Sequence, residues 1–310
     1  MKCLKVLLII FMFFYRTSEV ESLAENFPNF QCFVSLSSCT IFDIDSTDGL
    51  QKIYDDLKNL HFEYETQSSS RECLLFSECN TIKNDFEDFK MLQFRDSHFE
   101  KFPSGDNKKL NHIRKLFAID VGLTEIDRDD FEAFQSLKVL NLSHNSLEAI
   151  DGLFLIHLTS LTTLNLRNNF ISKIDDLVLN EYAKKLEFLD LSFNELTEIS
   201  ENLFDIFGKN SNAQLLLENN RIERIIPSTI AVNSSRKFKT LSLSGNKLKN
   251  FVYNCTSIDI LSLDDNQLET FDISNCSVEV LNLQNNNLIT IKVPPTVIFL
   301  SISNNMNLQS

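Results

Sequence analysis

The sequence predicts an elongated α/β repeat solenoid, in which each coil gives one short strand to a continuous parallel sheet and returns through a second segment. Three observations predict it. A phrase of the form L-x-x-L-x-L-x-x-N-x-L, clearest over 137–147, recurs at 161–171, 186–196, 238–248, 258–268 and 278–288. The second strand position of successive copies falls at Phe94, Ala118, Leu142, Leu166, Leu191, Leu217, Leu243, Leu263, Leu283 and Ile302, a period of 19 to 26 residues. Self-similarity at such a period marks stacked units that bury their cores only against neighbours. Finally, 43% of the residues are hydrophobic, which is enough for a core running the length of an array.

The opening residues read as a targeting segment. Lys2 and Lys5 precede an apolar run from Val6 to Phe14, and small residues follow, with Ser22 and Ala24 placed for cleavage. Val20 with Ser22 is the rival site. Residues 1–24 are thus expected to be a signal peptide and the mature chain to be secreted and extracellular. The apolar run is short for a bilayer span, and no other run of that character is present.

Residues 25–85 read as a cysteine-containing amino-terminal cap, since the first coil of a solenoid otherwise exposes an apolar end. Two similar runs, one ending at Cys39 after Cys32 and one ending at Cys79 after Cys73, flank a predicted helix over 47–60 whose Leu50, Ile53, Leu57 and Leu60 share a face. In the second run Leu74, Phe76 and Cys79 stand where a repeat has its strand leucines and its asparagine. An even number of cysteines after a signal points to disulfides, and four cysteines in the cap permit three pairings.

Residues 86–310 form the array of about ten repeats. Leucines at alternate strand positions point inward, and the residues between them face the concave side. The chain then turns and carries backbone polar groups inside; Asn145, Asn169, Asn194, Asn220, Asn246, Asn266, Asn286 and Asn305 are placed to satisfy them, because an amide both donates and accepts. Repeats of 24 to 26 residues have room for a helical turn in the return, with Phe131, Phe134, Phe204 and Phe207 packing there. Those of 19 or 20 residues do not. Cys255 and Cys276 lie almost one repeat apart, although their registers relative to Asn246 and Asn266 differ by one residue. They can form a bridge between stacked coils or remain two buried thiols.

The repeated phrase resembles the leucine-rich repeat, and the resemblance covers about two thirds of the chain. It implies a horseshoe with a parallel concave sheet. The signal-like start, the cysteine-bearing opening and the phenylalanine-containing 24-residue repeats are similar to secreted leucine-rich repeat proteins of insects, including the mosquito leucine-rich immune molecules. That group carries a coiled coil and further cysteines after its repeats. Neither feature follows Ile302 here, so the resemblance implies the scaffold and its mode of binding rather than coiled-coil assembly. The final strand, around 298–303, is expected to be an open edge available to another chain.

No catalytic pattern is present: there is no G-x-S-x-G, no glycine-rich phosphate loop and no H-E-x-x-H. No metal-ligand spacing or cofactor motif occurs either. A net charge of −14 argues against nucleic acid as the partner. The sequence therefore points to a non-enzymatic module that binds a protein.

The exposed strand positions form two columns. The first reads Met91, Lys115, Val139, Thr163, Phe188, Gln214, Thr240, Ile260, Val280, Phe299. The second reads Gln93, Phe117, Asn141, Asn165, Asp190, Leu216, Ser242, Ser262, Asn282, Ser301. Phe188, Phe193 and Leu216 then cluster on neighbouring coils, rimmed by Asp190 and Glu218, with Val139 further along. Exposed aromatic clusters with a polar rim mark partner sites. Sequons at Asn141, Asn233, Asn254 and Asn275 are candidate glycosylation sites, Asn233 standing in a polar loop. Three functions fit: a secreted binding protein that uses the concave face, in a setting such as innate immunity; an ectodomain fragment of a receptor or adhesion protein; and an inhibitor that occludes a basic active site.

Overall fold

The computed structural model describes residues 31–35, 38–42, 73–74, 90–95, 97–102, 108–207, 210, 212–227, 237–253 and 255–308. The signal segment, the helix over 47–60, Cys79, Asn233 and Asn254 lie outside the described residues, as do the side chains of Cys32, Cys39 and Cys73.

Ten parallel strands carry the array: β4 (Met91–Arg95), β5 (Lys115–Ala118), β6 (Val139–Asn141), β8 (Thr163–Asn165), β10 (Phe188–Asp190), β12 (Gln214–Leu216), β14 (Lys237–Ser242), β15 (Ser257–Ser262), β17 (Ser277–Asn282) and β19 (Phe299–Ser301). Several are three residues long, too short to persist alone. They persist because each is hydrogen-bonded to its neighbours and anchored by inward leucines. The pairing matches both sequence columns at every step: Lys115 faces Val139, Val139 faces Thr163, Thr163 faces Phe188 and Phe188 faces Gln214. A slip of one residue would expose every leucine in the array.

The sheet continues before β4. Here β2 (Ser38–Phe42) pairs in parallel with β4, while β1 (Gln31–Ser35) lies antiparallel to β2 and to β3 (Cys73–Leu74). Leu74 therefore pairs with Phe33 of β1 and not with a strand of the array, as its repeat-like spacing had suggested; Phe76 and Cys79 of the same run lie outside the described residues. It is Cys39 and Ile41 that stand opposite the strand positions Leu92 and Phe94, and β3 lies at the far edge beyond β1. Because β1 runs antiparallel to β2 and β2 runs parallel to β4, the first of the two similar runs, not the second, abuts the array.

Return segments follow repeat length. Among the described residues those of the longer repeats contain 3-10 turns at Lys108–His112, Glu132–Phe134, Leu153–His157 and Glu201–Asp205, and one α-helix, α1 (Asp176–Tyr182). The Asp175 carboxylate caps α1 by accepting from the Val178 N–H at 3.1 Å, and Leu179 is the residue it buries. The 20-residue repeats return in extended form, and β16 (Thr270–Asp272) pairs with β18 (Thr290–Lys292), as β7 (Ala149–Ile150) pairs with β9 (Lys173–Ile174) and β11 (Glu198–Ser200) with β13 (Arg224–Ile226) at the start of longer returns.

One continuous core runs between sheet and returns. Phenylalanines thicken it where the returns are long: Phe102 contacts Phe131 and Phe134, and Phe131 contacts Phe154. Further on, Phe204, Phe207, Phe238 and Tyr253 form a second group. Full burial of such a ring contributes about 1.5–3 kcal/mol.

The repeat asparagines take the structural role that their chemistry predicts. The Asn145 side-chain oxygen accepts from the N–H groups of Val121 and Leu123, both at 3.1 Å. Its amide nitrogen donates to the carbonyls of Ala118 at 2.8 Å and Leu142 at 2.9 Å. The same arrangement recurs at the later repeat asparagines; Asn246, for example, accepts from Ile222 and donates to Leu217 and Leu243. Each asparagine thus ties its own coil to the one before. Cys255 and Cys276 are joined in a disulfide with Cα atoms 5.3 Å apart, so the one-residue difference in register does not separate them.

Candidate protein-binding face

The open face of the sheet consists of the residues between the inward leucines. β10 and β12 occupy its middle. Phe188 and Leu216 are half-buried and lie diagonally across these strands, because Phe188 pairs with Gln214 and Asp190 with Leu216. Each is held in place by the leucine beside it, Leu189 and Leu215, which point into the core. Gln214 and Glu218 flank the pair. The structure therefore brings Phe188, Leu216 and Glu218 together. Val139 is half-buried on β6, two strands away, and stands apart from them.

Two residues sit differently from the sequence-based expectation. Asp190 was expected on an exposed rim, yet it is only 5% exposed. One carboxylate oxygen accepts from the Ser192 N–H at 2.9 Å and the other lies 3.9 Å from the Arg167 guanidinium. A carboxylate on a strand that ends in a tight turn finds the nearest backbone donor two residues on; it supports the face from below.

Phe193 is not on the strand but in the turn after it, with φ 57°. The equivalent turn position in the other coils is held by Asp120, His144, Asn168, Asn219, Gly245, Asp265, Asn285 and Asn304, all with positive φ. Glycine adopts this conformation freely, and asparagine and aspartate tolerate it. A phenylalanine there is strained. Its ring is nonetheless 39% exposed, and the Arg167 guanidinium carbon lies 4.2 Å from the ring centroid. Arg167 thereby bridges Phe193 and Asp190. The two outward columns give no sign of this constellation, but the asparagine-rich turn position does, since Phe193 is the one hydrophobic residue at it.

A second feature lies outside the two outward columns. The position just before the first column holds Lys90, Arg114 and Lys138 in consecutive coils: the Lys90 carbonyl accepts from the Arg114 N–H at 2.7 Å, and the Arg114 carbonyl from the Lys138 N–H at 2.8 Å. Further along, the same position holds Lys239, Asp259 and Glu279. Basic side chains thus lead the face and acidic ones follow.

Asn275 is exposed in a turn, while Asn141 is half-buried on β6 with its side-chain oxygen accepting from the Ser143 N–H at 3.0 Å. His144 is exposed, and its Nδ1 accepts from the Asn168 amide at 2.8 Å. Burial pushes the Asp130 carboxyl up to about 6, on the return side and away from this face. Among the described residues no group of three or more His, Cys, Asp or Glu is arranged to hold a metal ion, and no helix is long and apolar enough to cross a membrane.

Comparison with known proteins agrees with this architecture. Family models described as Leucine Rich repeats (2 copies) and Leucine Rich Repeat match residues 135–179 and 185–208. Lumican of Gallus gallus is 31% identical over 189 residues, covering 58% of this chain and 51% of lumican. Podocan of Mus musculus is 29% identical over 160 residues, covering 51% of this chain and 24% of podocan. The chain thus spans about half of the length of lumican and about a quarter of that of podocan. Among solved structures, the APL1 leucine-rich repeat domain has a TM-score of 0.53 at 17% identity, covering 85% of this chain and 75% of that one. The functional domain of InlJ from Listeria monocytogenes, which includes a cysteine ladder, has a TM-score of 0.54 at 21% identity, covering 87% of this chain and 54% of that one.

Proposed function

We propose that this leucine-rich repeat chain is an extracellular, non-enzymatic module that binds a protein through the open face of its sheet, centred on Phe188, Phe193 and Leu216. The observation that carries the reading is Phe193. A bulky side chain kept in a left-handed turn and left partly in solvent weakens the fold without filling the core, and such outliers point to function. Aromatic and arginine side chains at the centre of a face are also the usual anchors of protein interfaces. Kinship with lumican and podocan supports the protein-binding role. The signal-like opening supports secretion, and the likeness to secreted insect repeat proteins supports a setting in innate immunity.

Affinity capture from extracellular fluid tests the reading, with wild type run beside the Phe188→Ala/Leu216→Ala double variant. Both residues are half-buried on the face rather than sealed in the core. A protein retained by wild type and lost by the variant is the expected result. Equal capture by both removes the face from the interaction. The inhibitor reading is favoured by one observation, the acidic second half of the face, which suits a basic enzyme surface.

A further inference from the structure

The open face carries a charge step, and its two sides differ in sign. On the coils of β4, β5, β6 and β8 the strand side presents Lys90, Arg114, Lys115, Lys138 and Arg167, all exposed or half-exposed. Asp120, in the turn after β5, is the acidic side chain among the described residues of that side of those coils. On the coils of β10 to β17 the corresponding positions present Glu187, Glu218, Asp259, Asp264, Asp265 and Glu279, with Lys239 as the basic exception. The chain as a whole carries −14, so the basic half runs against the overall charge. It is also compact. Lys90, Arg114 and Lys138 occupy one register position on successive coils, and neighbouring strands lie about 4.8 Å apart. The step falls between β8 and β10, where Arg167, Asp190 and Phe193 meet.

Resting on the protein-binding reading above, we infer that the β4–β8 half of the face is a subsite for a short acidic segment of the partner, and that the partner docks in one polarity. Charge complementarity selects the occupant. Lysine and arginine side chains in neighbouring coils present a row of cations to carboxylates: Lys115 and Lys138 are exposed, and the half-exposed Arg114, which donates to the Ser136 carbonyl at 3.0 Å, and Arg167, 3.9 Å from Asp190, add their charge beside them. Length limits it. From β4 to β8 the row spans about 14 Å, the reach of roughly four or five extended residues at about 3.4 Å each. A longer polyanion, such as a sulfated polysaccharide, would run onto Glu187, Glu218 and Asp264 and be repelled. A short acidic run on a protein stops at the step. Beyond it the partner's surface is basic or apolar, meeting Phe188, Phe193 and the acidic half. Docking in the reverse direction would oppose like charges on both sides, which fixes the orientation and speeds the productive encounter.

The test uses the full chain and a fluorescein-labelled hexaglutamate peptide, with anisotropy read at about 20 mM and about 200 mM salt. Wild type is expected to bind the peptide at low salt and to lose most of that binding at high salt. Lys115→Glu/Lys138→Glu is expected to weaken low-salt binding by about tenfold or more, and Glu269→Lys, exposed beyond the turn and off this face, to leave it unchanged. Thermal melts matching wild type show that the exposed substitutions leave the fold intact. No peptide binding at low salt overturns the inference, as does equal binding by wild type and the double variant. Stronger binding of a long sulfated polysaccharide than of the peptide overturns the length argument and with it the acidic-segment assignment. None of these outcomes bears on capture through Phe188 and Leu216, so the two readings can fail separately.

Discussion

Replacing Phe193 by asparagine and by alanine separates backbone strain from side-chain contact. An L-residue other than glycine or asparagine costs about 1–2 kcal/mol in the left-handed region. Asparagine recovers most of that cost, because its short polar side chain tolerates this conformation, which Asn168 and Asn219 adopt in the equivalent turns. Alanine recovers little, since it retains the Cβ that causes the clash. Both variants lose the contact with Arg167, an exposed cation–π pair of about 0.5–1 kcal/mol, and both lose the partial burial of the ring. Those losses cancel in the comparison. Phe193→Asn should therefore be more stable than Phe193→Ala by about 1 kcal/mol, equivalent to roughly 2–4 °C in melting temperature for a chain of this size. Urea denaturation monitored by circular dichroism measures it. Partner capture should be lost to a similar extent in both, because the ring is gone from both. If alanine proves as stable as asparagine, the strain argument fails; if either variant captures the partner as wild type does, the functional meaning attached to the strain fails.

Three further outcomes follow from features elsewhere. Asn246→Ala should destabilise by about 3 kcal/mol in chemical denaturation, because the Ile222 N–H and the Leu217 and Leu243 carbonyls lose a buried partner. Cys255→Ser/Cys276→Ser should cost about 3 kcal/mol, the chain-entropy value for a closed loop of 21 residues, and the same loss should appear on reduction of wild type. Asp130→Asn should raise stability above pH 6 by about 1–2 kcal/mol after allowance for solvent screening. The sign follows from the raised carboxyl: the folded protein binds the proton more tightly than the unfolded chain, so wild type loses stability as pH climbs from about 4 through about 6. The advantage of the asparagine variant should vanish below about pH 4, which a pH series of melts will show.

The array was legible because its code is redundant. Every coil states the same period, the same inward leucines and the same asparagine, so an error at one coil is corrected by the next. The weak first coils were still placed correctly, with Phe94 and Ala118 fully buried at strand positions. Reading the strand order of the cap was harder. Cys39–Ile41 and Leu74–Phe76 both alternate as a repeat would, and only the strand pairing, a non-local matter of which run meets β4, decides which of them joins the array. At the face, identity was readable and burial was not. Asp190 stands in the outward column as expected, but whether a carboxylate reaches solvent or its own backbone depends on the turn two residues on. The charge step was legible in principle, since it needs only one more column to be aligned.

The asparagine ladder has a direction. Each asparagine serves groups of the coil before it: Asn169 accepts from Leu147, Asn194 from Ile171, Asn305 from Leu288. Peeling a coil from the carboxyl-terminal end therefore strands buried N–H and carbonyl groups in the coil left behind. Peeling one from the amino-terminal end strands only the reach-back bonds of an asparagine newly open to water. Opening should propagate more readily from the front of the array than from the back, and amide hydrogen exchange should decline along the chain with that gradient rather than symmetrically toward the middle. A one-dimensional stack built this way behaves as a ratchet, each coil being locked by the next one to follow it.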